Sequence, residues 1–145
     1  MYTVMVLSAL VLRSLPATPA VMCRCTEPKS TRAAYRAARA VVIAKVTEVR
    51  RGVDGFTAVL VVSLAWKKDV PTRLVIVSAT SCSYDLQVDR EYLLYLVHDI
   101  KMLEGKDDQT YTTGICLGNK PLAEATKALR WLRGYGRATA VQPAP

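Results

Sequence analysis

Four cysteines constrain this chain more than anything else in it: Cys23 and Cys25, one residue apart, and the distant Cys82 and Cys116. They follow the stretch MYTVMVLSALVLRSLPATPA, whose apolar core runs from Val4 to Leu12 and gives way to Pro16 and small residues. Such a core is too short to span a bilayer and has the pattern of an export signal. Residues 1–22 are therefore expected to be removed. A cut after Ala20 leaves Val21 and Met22 in place; a cut after Met22 makes Cys23 the first residue. The expected destination is extracellular or periplasmic, with no stable membrane span left. An even cysteine count in such a compartment predicts two disulfides, and the sequence alone allows three pairings. A Cys23–Cys25 ring would be tiny and strained, so each is expected to reach a distant partner. A link closing about 60 residues stabilises by roughly 4 kcal/mol in the chain-entropy model, and both links would pin the N-terminus to the body.

A chain of 145 residues with 51% hydrophobic and 22% charged residues predicts one domain with a sizeable core. The expected domain is 23–136, followed by a flexible tail, 137–145. After Pro28, Ser30 is a helix-start residue and the alanine-rich run to Ala40 is helical in composition, with Arg32, Arg36 and Arg39 spaced to share one face. Residues 41–50 turn to β-branched types and read as a strand; Gly52 and Gly55 bracket a hairpin turn. In the next run Phe56, Ala58, Leu60, Val62, Leu64 and Trp66 alternate onto one face. Its length suits a bent strand better than a flat one. Further strands are expected at Arg73–Ser78, at Tyr92–Val97 and in QTYTTGIC up to Cys116. A last helix is expected with Pro121 in its first turn, a stripe of Leu122, Ala125, Leu129 and Leu132, and Gly134 at its end. The fold class that follows is mainly β with flanking helices: a five-stranded OB-type barrel carrying two disulfides.

With these elements in order, the chain resembles the netrin-like module of tissue inhibitors of metalloproteinases. The residues that carry the likeness are Cys23-Arg24-Cys25, SCSYDL with Cys82, REYLLYL, and TTGICLGNKPLAEA with Cys116. The third disulfide of the animal members and their second, cysteine-rich domain are missing, so the likeness is to the shorter, single-module relatives. It implies the pairings Cys23–Cys82 and Cys25–Cys116. It also implies that the free amine and carbonyl of Cys23 chelate the catalytic zinc of a target protease, displacing the water at the ion's open position. Arg24 would enter the specificity pocket, Cys25 and Thr26 would continue the edge, and Ala79, Thr80, Ser81 and Ser83 would form a ridge beside it. In an extended segment Cys23 and Cys25 point one way and Arg24 the other, so the barrel can hold the cysteines while the arginine faces out. An amine acylated by Met22 could not chelate. Arg24 asks for an acidic or open pocket, because a buried unpaired guanidinium is costly.

The net charge of +8 supports a second reading, an extracellular binding module without protease inhibition. In it Arg32, Arg36 and Arg39 on one helix and Arg130, Arg133 and Arg137 near the other would hold sulfated polysaccharides or acidic proteins. A nucleic-acid partner is not expected, given the export signal and few aromatics to spare from the core. No enzyme and no cofactor are expected either. There is no G-x-S-x-G elbow and no glycine-rich phosphate loop, His98 is the single histidine, and the cysteines lack the paired spacing of a zinc site. Asp85, Asp89 and Glu91 cluster before a strand, and two of them are expected to pair with Arg90 or to cap turns.

Overall fold

The computed structural model describes residues 23, 25–53, 55–78, 82–98 and 110–141. The expected export signal, 1–22, lies outside the described residues, as do Arg24, Ala79, Thr80 and Ser81. Helix α1 (Thr31–Ala37) is capped by Ser30, whose Oγ accepts from the Ala33 N–H at 3.1 Å. Strands β1 (Ala40–Gly52) and β2 (Gly55–Trp66) form a long hairpin, with Gly52 opposite Gly55. Then come β3 (Arg73–Ser78), β4 (Glu91–His98) and a two-residue β5 (Tyr111–Thr112). Because β1 pairs both β2 and β4, five strands close in the order β1–β2–β3–β5–β4, with only β3 and β5 parallel. This is the expected OB-type barrel. Two short strands extend it: β6 (Lys120–Pro121) beside β4 and β7 (Thr139–Ala140) beside β2. Helix α2 (Thr126–Tyr135) packs outside. Among the described residues no helix is long and apolar enough to cross a membrane.

The lumen is filled by small and branched residues, among them Ala40, Val42, Ala44, Ala58, Leu60 and Ile76, all fully buried. A second core lies outside the barrel. There Val41 of β1 and Leu93 and Tyr95 of β4 meet Ala34 and Ala38 from the α1 segment and Ala128 and Leu132 of α2. The wall made by β1 and β4 is thus apolar on both faces. Its continuous runs VVIA and YLLYL reflect that, since a strand covered on both sides loses polar alternation. Each valine or leucine of these runs, fully buried, contributes about 1.5–3 kcal/mol.

Several expected boundaries shift. The α1 helix stops at Ala37, so Arg39 lies beyond it; the Arg39 N–H donates instead to Leu96 O of β4 at 2.7 Å. In β2 the alternation breaks. Ile43 faces Leu64 while Ala44 faces Val62, which leaves Ser63 as the extra residue of a β-bulge. Past it the faces exchange: Ala65 joins the lumen, and Leu64 and Trp66 turn outward under the helices. Cys116 sits in a 3-10 turn, Ile115–Leu117, rather than at a strand end. Pro121 precedes α2, separated from it by a second 3-10 turn, Leu122–Glu124, and Gly134 lies inside the last helical turn, with Gly136 as the cap. Residues 137–141, expected as flexible tail, are docked through β7, and Val141 N–H donates to Ser63 O at 3.1 Å. Asp85 and Asp89 pair with Arg51 at 2.6 Å and Lys45 at 3.1 Å, not with Arg90.

Candidate functional site

The cysteine cluster is assembled from three parts of the chain. Cys23 is joined to Cys82 with the Cα atoms 5.3 Å apart, and Cys25 to Cys116 with a separation of 5.6 Å. These are the pairings the resemblance implies, and no described cysteine is free. The sulfurs of Cys23, Cys82 and Cys116 all lie within 4.8 Å of one another, and that of Cys25 is 4.0 Å from that of Cys23. The two bridges therefore pack side by side as one knot. Cys25, Thr26 and Glu27 remain exposed, so the segment is fixed without being buried.

What holds the other side of the knot was not anticipated from the sequence. Asn119, buried, accepts from the Tyr95 N–H through Oδ1 at 2.8 Å and donates through Nδ2 to Thr113 Oγ1 at 2.8 Å and Gly114 O at 2.9 Å. Thr113 Oγ1 in turn donates to Tyr95 O at 2.8 Å. Side chains thereby replace a strand partner at Tyr95 and clamp the Cys116 turn to β4. Gly114 lets the two loops meet. A Cβ there would stand 2.9 Å from Cys82 O, the carbonyl that accepts from the Ile115 N–H at 2.9 Å. Gly118, at φ 89°, takes the left-handed turn that a side chain would strain. The only signal in the sequence was the polar pair Thr113 and Asn119 flanking GICLG. Ser83, a predicted ridge residue, is partly buried with its Oγ 3.1 Å from Ser78 Oγ.

The predicted basic set is divided by the structure. Arg32 lines a groove of about 420 Å³ with Lys29, Lys120 and Lys127. Arg130 and Arg133 are exposed on α2. Arg36 and Arg39 instead line an open cleft of about 670 Å³ with Lys67 and Lys68, which follow the end of β2. Lys67 has φ 73°, unusual for a residue with a Cβ. Its Nζ donates to Tyr35 O at 2.8 Å, to Arg36 O at 3.4 Å and to Ala38 O, capping the carbonyl end of α1. Its ammonium also lies 5.1 Å from the centre of the Tyr35 ring. Burial, and then repulsion from Arg39, push the Lys67 pKa below the ordinary lysine value. Burial likewise raises the Tyr35 hydroxyl, helped by Tyr135.

The ion pairs found among the described residues are Lys45–Asp89, Arg50–Glu48 and Arg51–Asp85, and none involves these cations. No family model matches the chain, and no curated protein is significantly similar to it.

Proposed function

We propose that this chain is a secreted inhibitor of zinc metalloproteases, of the kind formed by single netrin-like modules, acting by binding rather than catalysis. The observation that supports the reading best is the disulfide knot. It ties Cys23 and Cys25 covalently to the ends of two barrel loops while leaving Cys25 and Thr26 exposed. A segment stiffened this way loses little freedom on docking, so more of its contact energy appears as affinity. In this reading Cys23 is the mature N-terminus and its amine and carbonyl bind the target's zinc. Arg24 occupies an acidic or open pocket, and the neighbouring loop of Ala79, Thr80, Ser81 and Ser83 supports the contact. Export fits the two disulfides, which persist in oxidising compartments.

Two measurements test it. N-terminal sequencing of the secreted protein is expected to begin at Cys23; a start at Val21 sinks the chelation. Inhibition across a panel of zinc proteases is expected with the authentic N-terminus. Extending that terminus by one alanine is expected to weaken it by at least about tenfold, or 1.4 kcal/mol.

A second reading, a module for sulfated polysaccharides or acidic proteins, is favoured by one observation. The cations of the helix side take no part in the ion pairs found among the described residues. It expects salt-sensitive retention on heparin.

A further inference from the structure

The cleft beside Lys67 brings together cations from two segments that are remote in sequence. Arg36 comes from the last turn of α1, Arg39 from the link into β1, and Lys67 and Lys68 from the turn after β2. Val97 and His98, at the end of β4, complete the lining. A second depression of about 290 Å³, also lined by Lys67 and Lys68, adds Arg137 and Tyr35, with Asp69 as the acidic member. The two hollows share the lysine pair, so the cations form one continuous saddle.

Gathering like charges in this way costs stability, and nothing on the described surface offsets it with an ion pair. The cost is borne by a backbone that is itself unusual, with Lys67 in the left-handed region and its three N–H donors committed to the carbonyls at the end of α1. Lys67 therefore supplies a fixed charge rather than hydrogen bonds. Arg36, Arg39 and Lys68 keep their side-chain donors for a ligand. Guanidinium groups match tetrahedral oxyanions with paired N–H donors, and an ammonium adds a point charge. The volume falls in the range of small-molecule sites.

We propose that this cleft is a binding site for a compact sulfate or phosphate ester, gripped by Arg36, Arg39 and Lys68 over the fixed charge of Lys67. It rests on the polyanion reading in ligand chemistry but assigns it to one pocket. That pocket excludes Arg130 and Arg133 and recruits two lysines that the helix-face reading omits. Tyr35, beside Lys67, lines the adjoining depression rather than the cleft itself.

The test uses the full secreted protein in about 150 mM salt, where weak surface attraction is largely screened. The sulfate probe is a trisulfated heparin disaccharide, and the phosphate probe is inorganic pyrophosphate; calorimetry gives Kd for each. Arg39→Gln and Lys68→Gln are each expected to weaken the preferred probe by at least about tenfold. The double variant Arg130→Gln/Arg133→Gln removes more charge and is expected to change Kd by less than about twofold. Preference for the disaccharide identifies a sulfated saccharide as the source, and preference for pyrophosphate a phosphorylated one. Equal weakening in the control overturns the pocket, because only the overall field would then matter. Retention on long-chain heparin without binding of either probe also overturns it while leaving the polyanion reading standing. Failure of both probes and of heparin sinks the two together. Lys68→Gln alone keeps the test valid should a change at Arg39 disturb the link into β1.

Discussion

The N-terminal segment and the helix layer are both attached to the outside of the same barrel, but by opposite means. Helix α2 is held by burial: Ala128 and Leu132 sink onto Trp66, Leu93 and Tyr95, and little of those side chains is left to meet anything else. In the N-terminal segment residues 25–27 are exposed, and two covalent links, at Cys23 and Cys25, hold it. A layer fixed by burial spends its apolar face on the fold. A strand fixed by cross-links keeps its backbone and side chains available. An exposed surface is thus also firmly tethered, which is the combination a rigid ligand requires.

The comparison can be broken most sharply at the cross-links. Replacing Cys25 and Cys116 together by serine opens a span of 91 residues. That is expected to cost about 4–5 kcal/mol of stability in the chain-entropy model. Denaturant titration reads the loss, and proteolysis should then cleave near Thr26 while the barrel persists. Slightly less is expected from Trp66→Ala in the helix layer, about 4 kcal/mol from lost burial and the cavity left behind. That variant should loosen α2 without freeing the N-terminus, and hydrogen exchange separates the two outcomes.

Between these regions, Asn119→Ala is expected to cost about 2–3 kcal/mol, because the Tyr95 N–H and Gly114 O lose a buried partner. A fluorescence-monitored melt would detect it. An alkaline titration probes the helix layer in a different way. Burial raises the Tyr95 hydroxyl to about 12, whereas in the unfolded chain it titrates at its ordinary value of 10.0. The folded form keeps this proton over a range where the unfolded form loses it. Stability is accordingly full below pH 10 and falls as pH rises toward 12, at up to about 1.4 kcal/mol per pH unit. Tyr95→Phe should flatten that slope in urea midpoints, and Tyr35 and Tyr84, raised in the same direction, should leave a remainder. The smallest effect is expected on the uncovered wall. Val61 and Val75 are 42% and 41% exposed, so their replacement by threonine should stay within about 0.5 kcal/mol.

Much of the barrel could be read from the sequence because its strands carry their own pattern. The β-branched run of β1, the glycines of the hairpin and the alternation from Phe56 to Val62 depend on local chemistry, and each emerged where expected. The disulfide partners came from the resemblance, since spacing alone left the choice open. Other features were set by contacts between distant residues. Ser63 is polar in a position where alternation already expects a polar residue, so nothing local marks it as a bulge. Arg39 fits a helical face by spacing, but its N–H is claimed by Leu96 of β4, which ends the helix early. Lys67 and Lys68 look like an ordinary charged turn until α1 folds back and offers its last carbonyls. The cleft could not be found without that return.

The bulge at Ser63 also makes the hairpin a counting device. Residues before and after it are sorted to opposite sides of the wall by a single insertion, so the protein's interior volume depends on chain length as well as on composition. Drawing Ser63 into the regular ladder, instead of leaving it as the extra residue, would deliver an indole into a space dimensioned for Ala65 and its alanine neighbours and strip the helices of their main foothold. A chain with every side chain intact would then be unable to close its barrel.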